Sequence, residues 1–98
     1  MIRVEISEQV AEFVRKLAPD PRKALRSALH NLERERGDIK ALEGPLKNCC
    51  RLRSGGFRVI FSYARGGKTI RCIYAERRAV IYEVFERLLQ AKLLGVDE

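Results

Sequence analysis

The sequence has one histidine, no run of apolar residues longer than a few positions, and three cysteines. Each scarcity removes a class of function. A lone His30 excludes any mechanism that needs two imidazoles, and without a cluster of His, Cys and acidic residues there is no zinc-site spacing. Cys49 and Cys50 are adjacent and Cys72 is the odd one left over, so the thiols do not form the paired framework of a small secreted domain and are expected to be free. Runs such as Val59-Ile60-Phe61 fall far short of the roughly 20 apolar residues that cross a bilayer. The first six residues, Met1 to Ile6, alternate apolar and charged positions and lack the continuous apolar stretch of a secretion signal. These features predict a cytosolic protein with no membrane association, no metal and no cofactor.

What is present is the composition of a globular domain. The chain has 98 residues, 46% of them hydrophobic and 34% charged, enough for a single domain (1–98) with one core and too little for two. Its net charge is +7, from 20 Lys and Arg against 13 Asp and Glu. The excess is concentrated between Leu46 and Arg78, where Lys47, Arg51, Arg53, Arg58, Arg65, Lys68, Arg71, Arg77 and Arg78 face the single acid Glu76. Arginine dominates this segment, and its planar fork suits phosphate better than a lysine point charge does. A solubility surface, or a surface covered by an acidic protein partner, is an equally simple reading of charge alone.

Periodicity supplies the element order. Ile2, Val4 and Ile6 alternate with charged residues as in a half-buried strand. Ser7 is placed to cap a helix whose apolar positions Val10, Phe13, Val14 and Leu17 form one stripe, ending before Pro19. Asp20-Pro21 starts a second helix, with Leu25, Ala28, Leu29 and Leu32 on its apolar stripe and Gly37 as its stop. Asp38 to Asn48 reads as a loop. Three β segments follow, Cys49–Arg53, Phe57–Ala64 and Lys68–Ala75, joined by glycine turns as an antiparallel meander. Helical spacing returns through Ile81, Val84, Phe85, Leu88 and Leu89, predicting a final helix over about 80–94. The expected fold is α+β, in the order β-α-α-β-β-β-α, with a small antiparallel sheet carrying a helical hairpin on one face.

In that arrangement Cys49, Arg51 and Arg53 point to one side of their strand and Leu52 to the other. Phe57, Val59, Phe61 and Tyr63 form the row expected to face the core, which leaves Arg58 to join Arg51 and Arg53 on the open face. Arg58→Ala is expected to remove phosphate binding while preserving the fold. His30, beside the apolar stripe of the second helix, is expected at the surface.

The helical hairpin, then Leu42-Glu43-Gly44, then Arg51 to Phe61 (RLRSGGFRVIF), then Glu76-Arg77-Arg78 and Tyr82, resembles the RelE/ParE superfamily of type II toxin-antitoxin toxins. Members of its RelE-like branch cleave messenger RNA on the ribosome, and ParE-like members act on DNA gyrase. The resemblance implies a ribosome-dependent endoribonuclease that arrests translation. It assigns Arg51, Arg53, Arg58, Arg77 and Tyr82 to catalysis, and Lys47, Arg51, Arg53, Arg58 and Arg78 to RNA contact. It also implies an acidic, partly disordered cognate antitoxin, the ribosome and mRNA as partners, and DNA only indirectly through the antitoxin. Two departures accompany the match: Cys49 stands two residues before Arg51 where RelE has a lysine, and the Arg77 to Tyr82 spacing is one residue shorter.

Metal-free RNA cleavage needs a base for the 2′-hydroxyl, an acid for the leaving 5′-oxygen and stabilisation of the charged phosphorane. Arginine supplies the third and not the first, since its pKa exceeds about 12. Tyr82 is therefore the candidate for proton handling, and packing against Phe85 is the plainer alternative for the same ring. Arg77 is expected to face the leaving oxygen. A ParE-like gyrase inhibitor and a catalytically weak antitoxin- or RNA-binding relative remain the alternatives.

Overall fold

The computed structural model describes residues 1–77 together with Glu83, Arg87 and Gln90. The chain runs β1 (Arg3–Ile6), α1 (Glu8–Arg15), α2 (Pro19–Asn31), β2 (Asp38–Ala41), β3 (Cys50–Ser54), β4 (Phe57–Ala64) and β5 (Thr69–Arg77). Short 3₁₀ turns cover Leu32–Arg34 and Gly44–Leu46. Of the expected final helix over about 80–94 only Glu83, Arg87 and Gln90 are described, and they are helical and exposed; Arg78 and Tyr82 lie outside the described residues.

The fold is α+β, as expected, with two corrections to the sheet. It has five strands in the order β1-β5-β4-β3-β2, and it is mixed, because β1 pairs parallel with β5 while the other pairs are antiparallel. The segment read as a loop from Asp38 supplies the additional strand β2, which pairs Asp38 with Arg53 and Lys40 with Arg51. Only Ile39 and Ala41 are apolar in those four residues, so the strand owes its form to the β3 edge and not to its own pattern.

Ser7 caps α1 as predicted, its Oγ accepting from the Val10 N–H at 3.1 Å. Its hydroxyl also donates to the Ile73 carbonyl at 2.8 Å, and its N–H to the Cys72 carbonyl at 2.9 Å. Two residues on, Gln9 continues the ladder with its side chain: Nε2 donates to the Ala75 carbonyl at 2.7 Å and Oε1 accepts the Ala75 N–H at 2.8 Å. The outer edge of β5 beyond the end of β1 is thereby satisfied by helix side chains, where unpaired buried amides would be costly. Helix α2 begins earlier than Asp20-Pro21 suggested, with Ala18 at the N-cap and Pro19 in the first turn.

The helical hairpin covers one sheet face. Val10, Val14, Leu25, Leu29 and Leu32 meet Leu52, Val59, Phe61, Ile70, Cys72 and Ala75 in one buried cluster. A register shift between Ile60 and Phe61 inserts an extra residue on β5, so Ile70 and Cys72 before it and Ala75 after it all reach this core. The displaced Ile73 and Tyr74 pack instead with Leu46, Ile60, Leu42 and Cys49 as a second cluster on the opposite face. Gly55, at φ +58°, makes the two-residue turn between β3 and β4 and so fixes which residues face each way.

Because Gln9 supplies both hydrogen bonds at Ala75, Gln9→Ala is expected to lower stability by about 1–3 kcal/mol, read as a drop in the urea midpoint with an unchanged m value. An unchanged midpoint would show that water substitutes for the amide.

Candidate functional site

Arg51 and Arg53 on β3 alternate with the buried Leu52, and the hairpin register pairs Arg53 with Arg58 and Arg51 with Ile60. Directly opposed residues share a face, so Arg51, Arg53 and Arg58 all lie on the side away from the helices. Extending the register across four strands gives two rows. One reads Asp38, Arg53, Arg58, Glu76, and the other Lys40, Arg51, Ile60, Tyr74. The sequence supplied the three arginines of this surface. It did not supply Asp38, Lys40, Tyr74 or the position of Glu76, because each depends on a strand pairing.

The arginines are not equivalent. The Arg53 side chain is 53% exposed and that of Arg51 only 12%, while Arg58 as a whole residue is buried at 7%. Arg58 thus sits on the expected face, but it is buried, with Nη1 donating to the Phe57 carbonyl at 3.2 Å. This corrects the expectation of a solvent-exposed Arg58 whose removal leaves the fold untouched, since deleting a buried, hydrogen-bonded cation disturbs packing and solvation together.

Asp38 joins the other two. Its Oδ1 is 3.5 Å from Arg51 Nη1 and its Oδ2 3.4 Å from Arg53 Nε. Arg51 Nη1 is inaccessible to solvent and has no hydrogen-bond acceptor within good geometry, so the contact is an ion pair and not a hydrogen bond. At the other end of the same face, Glu5 pairs with Arg71 at 3.4 Å and with Arg3 at 3.3 Å. Acids from outside the basic segment therefore fold back onto it, and the local charge is smaller than the sequence run implies.

Arg77 is elsewhere. Strand β5 continues past Ala75, where the sequence reading ended it, and pairs Arg77 with Phe57. That places Arg77 on the helix side of the sheet, with its guanidinium carbon 5.5 Å from the Phe57 ring centre. Phe57 in turn packs edge-on against Phe13 at 5.6 Å. The cation therefore stacks on an aromatic wedge and does not join Arg51, Arg53 and Arg58. Lys47 is exposed on the turn that leads into β3.

The three cysteines and two of the tyrosines favour their neutral forms. Burial pushes the Cys49 thiol up, with Cys50 adding to the effect, and burial does the same for Cys50. Burial raises Cys72 to about 12. None is an activated thiolate. Tyr74, on the arginine face, has its phenol raised by burial and then by Glu76, so at neutral pH it can donate a hydrogen bond and not act as a base. Tyr63, on the other face, donates to Glu35 at 2.7 Å, and that bond together with burial raises it to about 12. His30 is exposed and lies 3.7 Å from Glu33. Among the described residues no three metal-ligating side chains converge, and no helix is long and apolar enough to cross a membrane.

The surface thus combines forked cations and a neutral phenol, donors suited to a phosphate group, with flanking carboxylates that partly neutralise them. Solved structures provide the comparison. A chain of the RelE–RelB complex from Pyrococcus horikoshii is 28% identical, with 80% of this chain and 96% of that chain aligned and a TM-score of 0.65. A chain of the RelBE2 toxin-antitoxin complex from Mycobacterium tuberculosis is 21% identical over 79% of this chain and 98% of that chain, with a TM-score of 0.68. The isolated RelE toxin of E. coli is 22% identical over 90% of this chain and 99% of that chain, with a TM-score of 0.60. Neither a family model nor a curated protein sequence matches. The chain has the α+β fold of the RelE-like toxin superfamily.

The unequal burial sets an expected order of stability losses. Arg53→Ala should cost about 0–1 kcal/mol, as for an exposed pair, whereas Arg51→Ala strips a mostly buried stem and should cost about 1–3 kcal/mol. Thermal unfolding of the two variants checks this, and equal losses would contradict the assignment.

Proposed function

We propose that this chain is the toxin of a toxin-antitoxin pair and that it cleaves messenger RNA on the ribosome without a metal ion. The observation that carries the reading is the cross-strand placement of Arg51, Arg53 and Arg58 on one sheet face, fixed by the β3–β4 register. The superfamily fold supports it, since two of the similar structures are toxin-antitoxin complexes and one is a toxin alone. A cognate antitoxin rich in acidic residues would neutralise the same surface.

In this reaction the 2′-oxygen attacks the adjacent phosphorus in line and the bond to the 5′-oxygen breaks, leaving a 2′,3′-cyclic phosphate and a 5′-hydroxyl. The proton lost by the attacking hydroxyl goes to a base, and another is delivered to the departing oxygen. Arg53, at the accessible edge of the cluster, meets the phosphate; Arg51 and Arg58, held by burial, present fixed positive charge to the phosphorane without reorganising. Proton handling is assigned to groups beyond this trio, with Tyr82 the candidate named by the resemblance. A local set so poor in bases is compensated if the ribosome bends the message into the in-line geometry, because positioning alone contributes several kcal/mol. Arg77, stacked on Phe57, is left out of the phosphate-holding set.

Primer extension on a translated message, with and without ribosomes, tests the proposal. Wild-type protein is expected to cut only when ribosomes are present. Arg53→Ala, chosen because it spares the core, is expected to reduce cutting by about 10–100-fold, the loss of one charge-assisted contact in the transition state. Intact messages together with blocked DNA supercoiling would instead identify a gyrase inhibitor.

A further inference from the structure

The carboxylate of Asp38 occupies a position that a phosphate-binding surface has reason to reserve for its ligand. Each of its oxygens serves a different arginine, Oδ1 facing Arg51 Nη1 and Oδ2 facing Arg53 Nε. Carboxylate and phosphate both present paired oxygens to guanidinium groups, so one can stand where the other binds. Resting on the RNA reading above, we propose that Asp38 is a resident stand-in for the RNA phosphate: in the free protein it neutralises Arg51 and keeps the exposed Arg53 aligned, and it is displaced when a phosphate arrives.

Three features favour exchange over a fixed scaffold. The contacts of 3.4 and 3.5 Å exceed the roughly 2.7–2.9 Å of a charge-assisted hydrogen bond, so the pair is loose. Arg51 Nη1 is buried with no hydrogen-bond acceptor, which leaves a donor that a phosphate oxygen can satisfy. Asp38 itself is 52% exposed on the sheet's edge strand, so its carboxylate can turn into water without a desolvation penalty. Arg51, by contrast, is held in place by its burial.

The resident anion would make weak polyanion contacts unfavourable, because a passing phosphate must first displace it. A phosphate that is also positioned by other contacts overcomes that threshold. The arrangement therefore trades affinity for selectivity, an instance of repulsion built against the wrong ligand.

The test is binding of a fluorescein-labelled 2′-O-methyl oligoribonucleotide, which cannot undergo 2′-attack, to the full chain between 50 and 200 mM KCl. Asp38→Asn keeps the shape and removes the charge; it is expected to bind roughly 3–10-fold tighter at the lowest salt, with a steeper salt dependence. Arg53→Ala is expected to bind more weakly than wild type. If Asp38→Asn binds no tighter while Arg53→Ala still weakens binding, the exchange is wrong and the RNA reading stands. If Arg53→Ala changes nothing, the RNA reading fails and the exchange fails with it. Should the Asn variant not fold, the Asp38 carboxyl carbon signal of the wild-type protein decides: it is expected to shift as the oligoribonucleotide saturates, and a stationary signal would overturn the proposal.

Discussion

The alternation of side chains along β3 and β4 is the constraint on which the arginine surface depends. Leu52, Val59 and Phe61 are buried against the helical hairpin, and a slip of one residue in the hairpin would drive Arg51, Arg53 and Arg58 into that core. The apolar row and the basic row are therefore one specification. Gly55 at the turn and the packing of Phe61 act on the position of Arg53 as surely as its own strand does. Substitutions in the apolar row and in the basic row are thus coupled even where the side chains never touch.

Burial divides the basic surface into parts of different accessibility. Arg53 is accessible and weakly held, whereas Arg51 and Arg58 are enclosed. Preorganised charge stabilises a transition state better than charge that must be gathered from solvent, because no reorganisation accompanies the reaction. In the proposed cleavage the enclosed pair would have that property and the exposed one would provide access. Around them the charge is moderated by Asp38, and at the far end of the face by Glu5, which limits self-repulsion in a chain of net charge +7.

Much of this was readable in the sequence, for local reasons. Ser7 as a cap, the stripe of α1 and the alternation of β3 and β4 each follow from the residues within one element. What escaped was set by neighbours. Strand β2 has too short and too polar a pattern to announce itself and exists by pairing with β3. Asp38 became a partner of two arginines only through that pairing. The strand position of Arg77 was not legible because β5 runs further than its apolar pattern, and period two then carries the residue to the helix side. The exposure of Arg58 was misjudged because alternation fixes a direction and says nothing of what surrounds the side chain.

The clasp between Gln9 and Ala75, like the neighbouring bond from Ser7 to Ile73, joins residues 66 positions apart. Strand β1 and helix α1 leave a translating ribosome before β5, the strand that β1 pairs with. Until β5 emerges β1 has no strand to pair with, so that edge of the sheet cannot close. For a nascent chain this leaves the aliphatic side chains of that strand and helix in need of shelter during the interval.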